Sequence, residues 1–123
     1  MKLGLSLPFD NKLKENFRQC MENRIPTCQL SISPCCYTTE TLQQIKQAQT
    51  ETGMEITALI GTWDGPNEWN FTHGPKTLGI VPIAYRMMRM QQLLDCARFA
   101  AELGVSDVCT HMGFIPENPS DEG

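Results

Sequence analysis

At 123 residues and 41% hydrophobic content, the chain has the length and apolar fraction of one small domain with a core. A formal charge of −4, a pI near 5.1 and the lack of any Lys/Arg run exclude the phosphate-neutralising stripe that a nucleic-acid or anionic-membrane partner requires. The amino-terminal stretch Met1 to Pro8 is too short for a signal or a membrane span, no other apolar run reaches spanning length, and the expectation is a soluble cytoplasmic protein.

In chain order, Leu3 to Leu7 reads as a short buried strand. Asp10 or Asn11 caps a helix that places Leu13, Phe17, Cys20 and Met21 on one face. Thr27 to Ile32 is a second strand, closed by Ser33-Pro34. Thr38 or Thr39 opens a second helix with Glu40 in its first turn, an apolar stripe of Leu42, Ile45 and Ala48, and Gly53 at its end. Glu55 to Ile60 is a third strand, followed by a loop from Gly61 to about Pro82. The longest helix runs from about Ala84 to Leu103, with Met87, Met90, Leu94, Ala97 and Ala101 along the side read as buried, and Gly104 stops it. Asp107 to His111 is the fourth strand.

Six cysteines in a chain of this size raise the question of a disulfide scaffold, but no export signal and no Cys-x-x-Cys spacing accompany them. Reduced, structural thiols are expected: Cys20, Cys96 and Cys109 stand where a small apolar residue would serve, while Cys35-Cys36 are adjacent in a loop. Strands separated by single helices imply right-handed crossovers and a parallel sheet. An open doubly wound sheet and a (β/α)8 barrel both fit, although Leu7-Pro8-Phe9-Asp10 is no Gly-rich phosphate turn.

Candidate chemistry gathers at the carboxyl ends of the last two strands. The long loop holds both tryptophans, Trp63 and Trp69, with Asp64, Asn70, Phe71 and His73 spaced by glycine and proline. A connection of this length is uncommon unless it binds or covers something, and an indole packs well on a sugar ring. His111 ends the fourth strand, where an imidazole can ligate a divalent metal or bond a substrate oxygen. Glu117 is the nearest loop carboxylate.

Leu78-Gly79-Ile80-Val81-Pro82, Tyr85-Arg86, Leu103-Gly104-Val105 and Thr110-His111-Met112-Gly113-Phe114-Ile115-Pro116-Glu117-Asn118-Pro119 resemble the sugar phosphate isomerase/epimerase family of the xylose isomerase-like TIM-barrel superfamily. The Trp63-Asp64-Gly65-Pro66 and Trp69-Asn70-Phe71 loop is similar to that of one bacterial branch. The resemblance implies that residues 1–123 are a single partial domain, the amino-terminal half of a (β/α)8 barrel truncated after about the fourth strand. It implies a divalent ion (Mn, Mg, Co or Zn) at the barrel mouth, and proton transfer next to a carbonyl through an enediolate. The catalytic glutamates and the Asp and His that complete the metal site are then expected beyond residue 123, so this stretch alone would neither hold the metal tightly nor turn over.

By the same resemblance His111 takes a position that is a metal ligand in the nuclease branch and lies near substrate in sugar-acting members. Trp63, Trp69, His111 and Glu117 are the candidate substrate-binding residues, with His111 also the candidate metal ligand. The implied function is a metal-dependent sugar or sugar-phosphate isomerase or epimerase. The alternative is a non-catalytic half-barrel that binds a carbohydrate-like ligand or forms a homodimer through exposed barrel edges and an apolar interior. An endonuclease IV-like nuclease is the lesser alternative, because Gly61-Thr62-Trp63 stands where that branch carries a histidine.

Overall fold

A computed structural model describes residues 2–114. Four parallel strands, β1 (Gly4–Pro8), β2 (Thr27–Ile32), β3 (Glu55–Gly61) and β4 (Val108–Cys109), lie in one sheet in the order of the chain. Helices α1 (Leu13–Glu22) and α2 (Thr39–Thr52) join the first three strands. A one-turn helix α3 (Gly74–Thr77) and the long α4 (Ile83–Leu103) lie between β3 and β4.

This strand order decides between the two architectures. A doubly wound sheet reverses its order at a switch point and carries helices on both faces. Here every crossover steps the same way, so right-handed connections stack the helices on one face. Accordingly α1 packs on α2, and α2 on α4. The arrangement is a wall of parallel βα units, as in a barrel.

Local signals explain most of the element boundaries. The Asp10 carboxylate accepts the Lys12 backbone N–H at 2.8 Å, tightening the turn into α1. Thr38 caps α2 by accepting the Thr41 N–H at 3.1 Å, and Gly53 closes it at φ 79°, a conformation that costs an L side chain strain. The core forms where the helix stripes meet the sheet: Phe17, Leu30, Ile32, Ile45, Leu59 and Cys96 are almost wholly buried. Residues of β2 and β3 alternate across the sheet, so Cys28, Leu30, Ile32, Ile56 and Leu59 join this core.

Four expectations are corrected. The first strand spans Gly4–Pro8 and is largely exposed, because β1 pairs only with β2 among the described residues and Leu3 and Leu5 have little over them. The stripe Met87, Met90, Leu94, Ala97 and Ala101 faces outward, and α4 instead buries Arg89, Cys96, Phe99, Ala100 and Leu103. This helix is apolar nearly all round, and the face that wins is the one whose side chains meet β3, β4 and the long loop. The uncovered sheet face is more polar than the apolar interior expected: the register pairs Ser6 with Gln29, Gln29 with Ala58, and Ser31 with Ile60, which pairs with Cys109. Cys109, read as a small core residue, is therefore exposed. No helix among the described residues is long and apolar enough to cross a membrane.

The assignment of α4 is directly testable. Phe99→Ala should cost about 3–5 kcal/mol in urea unfolding, whereas Leu94→Ala, on the opposite face, should change stability by only about 0.5 kcal/mol.

Candidate functional site

The site is built from loops at the carboxyl ends of β3 and β4. Thr110 donates its hydroxyl to the Gly61 carbonyl at 2.8 Å, tying the end of β4 to the end of β3. Beyond that tie the two loops are joined through backbone. Ile80 and Val81 both donate N–H to the Met112 carbonyl, at 2.8 and 3.0 Å. Their approach is close enough to require glycine on both sides. A Cβ on Gly79 would stand 2.2 Å from the Met112 carbonyl carbon, and one on Gly113 would stand 2.3 Å from the Leu78 carbonyl oxygen. Both glycines also have positive φ, 68° and 106°.

The long loop is held from beneath by Arg89, which is only 1% exposed and has no carboxylate partner among the described residues. Its guanidinium donates to the carbonyls of Thr77 (2.7 Å), Gly79 (2.6 Å) and Pro66 (2.8 Å), with longer contacts to Asp64. It also lies over the rings of Trp63 and Tyr85, at 5.2 and 4.7 Å from their centroids. Burial pulls its pKa below the usual arginine value, with Tyr85 acting in the opposite direction. Asp64, for its part, accepts from the Gln92 amide at 2.7 Å and fixes the loop to α4 a second time.

This scaffold brings two of the predicted site residues together. The imidazole of His111 meets the indole of Trp69 edge to face, with centroids 4.8 Å apart and planes at 74°. Both side chains are exposed, Trp69 at 64%. Nearby, Phe71 and Phe114 make a second edge-to-face pair at 5.9 Å. Trp63 does not join them: it is half-buried against Arg89, and its indole nitrogen is buried with no hydrogen-bond partner among the described residues. Glu117 lies outside the described residues.

Geometry also bears on what His111 can bind. Its Nδ1 accepts the Gly113 N–H at 3.0 Å, so the neutral ring carries its hydrogen on Nε2. A metal ligated through Nε2 needs the opposite tautomer, with Nδ1–H donated to an acceptor. The described residues contain no group of three His, Cys, Asp or Glu side chains that could hold a cation. In this tautomer Nε2 bears the hydrogen and offers no lone pair to a metal. The arrangement fits a neutral imidazole that donates from Nε2 to an oxygen.

Arg89 is the residue that sequence reading missed. A lone cation on a helix reads as solvated, and its acceptors here are carbonyls, which leave no trace in side-chain identity. The one available signal was its i, i+7 spacing to Cys96 on the face that proves buried.

Arg89→Lys, which keeps the charge but not the fork of donors, should destabilise the chain by about 3 kcal/mol or more. The loss is read in urea unfolding, with a red shift of tryptophan emission as Trp63 is uncovered. For His111, a long-range 1H–15N spectrum of the neutral ring should give Nε2 as the protonated nitrogen; a protonated Nδ1 would contradict the geometry.

No family model and no curated protein matches the chain. Solved structures do. A xylose isomerase domain protein from Planctomyces limnophilus is 23% identical with a TM-score of 0.79, over 98% of this chain and 43% of that one. The 3-keto-D-glucoside 4-epimerase from E. coli is 20% identical with a TM-score of 0.63, over 88% of this chain and 36% of the epimerase. The chain thus spans less than half the length of either protein, and what it shares with them is the fold, a wall of parallel βα units.

Proposed function

We propose that these βα units form part of the mouth of a barrel that isomerises or epimerises a sugar or sugar phosphate by moving a proton next to a carbonyl. The observation that carries this reading is the Trp69–His111 pair, exposed at the carboxyl ends of parallel strands. An indole offers apolar surface to the C–H face of a sugar ring, and an imidazole with hydrogen on Nε2 donates to a hydroxyl or carbonyl oxygen. The shared fold with a xylose isomerase domain protein and a sugar epimerase agrees with that chemistry. A net charge of −4 favours a sugar over a nucleic acid at the same mouth.

In this reading Trp69 seats the ring and His111 orients one of its oxygens. The carboxylates that take and return the proton, and the ligands that would complete a site for the implied divalent ion, lie outside the described residues in this reading. Titrating the protein with ketoses and with a 3-keto-glucoside should shift the Trp69 indole and His111 ring signals in NMR. Trp69→Ala should weaken binding about tenfold, roughly 1.4 kcal/mol. Equal shifts across many unrelated signals, or none with any sugar, would sink the reading. In the complete enzyme, deuterium from solvent should enter the sugar carbon beside the carbonyl.

A second reading, a half-barrel that pairs with another copy, is favoured by one observation: β1 leaves an edge with Leu3 and Leu5 exposed. Sedimentation should then give a dimer, and Leu5→Lys should convert it to a monomer.

A further inference from the structure

The single turn Pro34–Cys36 follows β2 and presents two neighbouring thiols. Cys35 is exposed and Cys36 half-buried, and their sulfurs stand 3.8 Å apart, well short of a disulfide bond of about 2.05 Å. The turn is held by backbone bonds from Cys36 to Ser33 (2.9 Å) and from Tyr37 to Pro34 (3.2 Å), so the pair is presented by a fixed backbone.

That separation has a chemical meaning. Two bonds of about 2.3 Å from one soft centre span about 3.8 Å at a tetrahedral angle and about 3.4 Å at the narrower angle of a pyramidal trivalent centre. The pair at 3.8 Å therefore needs only a small side-chain rotation to close as a two-point thiolate clamp. A structural zinc ion would need about four protein ligands, and no third or fourth His, Cys, Asp or Glu groups with these thiols among the described residues. The fitting ligand is one that brings its own remaining substituent. Beside the pair is a cavity of about 710 Å³ between α1 and α2, to which Cys36 contributes, with Phe9, Leu13 and Ala48 as apolar lining and Asp10 and Lys14 at its polar side. It shares no residue with the Trp69–His111 pair.

We propose that Cys35 and Cys36 form a dithiol site for a trivalent organic arsenical, whose carbon substituent lies in the groove between α1 and α2. The arsenic(III) oxide loses its oxygen and forms two As–S bonds. Both thiol protons leave with that oxygen as one water, and no oxidation state changes. The other thiols are poorly suited: Cys20, Cys28 and Cys96 are buried, and the thiol neighbour of the exposed Cys109 is the buried Cys96.

The test uses phenylarsine oxide on the full chain, read by intact mass. One adduct per chain is expected, retained in excess monothiol and stripped by a dithiol such as dimercaptopropanol. Cys35→Ser, at an exposed position, should leave the fold intact by circular dichroism while the apparent affinity falls about 100-fold, the loss of the second point of attachment. Cys36→Ser should do the same, and Cys109→Ser should change nothing. An adduct that monothiol removes from the unsubstituted chain, or that survives both the Cys35 and Cys36 substitutions, would overturn the assignment.

Discussion

The loop that shapes the candidate site is organised around a buried guanidinium. Moving a cation out of water costs several kcal/mol even after relaxation, and Arg89 has no anion in its contacts to offset this. What offsets it is a ring of carbonyl oxygens from Pro66, Thr77 and Gly79, closed by the faces of Trp63 and Tyr85. Each of those oxygens belongs to the loop between β3 and α4. The loop supplies little core of its own; its form is set by where the fork of donors points. From Gly79 the constraint passes to Met112 through Ile80 and Val81, and from there to Gly113, whose N–H sets the ring of His111. One side chain on a helix thus determines how an imidazole several segments away is presented.

The sheet divides the molecule's chemistry between its two faces. The helix side is filled by Leu, Ile, Phe and Cys side chains, which give stability but no reactivity. On the other side Ser6, Gln29, Ser31 and Cys109 alternate with Ala58 and Ile60, a composition able to hydrogen-bond. The register shift between Cys28 and Gln29 matters here. It inserts Thr57, whose hydroxyl bonds the Cys28 carbonyl at 3.1 Å, and restores Leu59 and Gly61 of β3 to pairing with Leu30 and Ile32.

Much of the fold was legible in the sequence because its signals are local. The bounds of β2, a threonine cap at Thr38 or Thr39, the Gly53 and Gly104 stops and the extent of α4 all follow from neighbouring residues. What was not legible depends on distant partners. The burial of one apolar face of α4 over another is decided by β3, β4 and the loop, not by the helix's own periodicity. The exposure of β1 reflects which strands flank it. At the site, His111 and Trp69 were both identifiable as candidates, but their contact was not, since it needs the crossing of Gly79 and Gly113. Trp63 and Trp69 looked equivalent in the loop, and only Arg89 separates the half-buried one from the exposed one.

The strand order has a bearing on how the molecule is made. Because each strand pairs with the one just before it, every new βα unit finds its template already in place, and loop-closure costs stay small. Such a chain can assemble from its amino-terminal end while synthesis continues, each unit docking as it emerges. The last strand formed then always carries a free edge opposite the standing edge of β1, so that part of the hazard of misassociation travels with the nascent end.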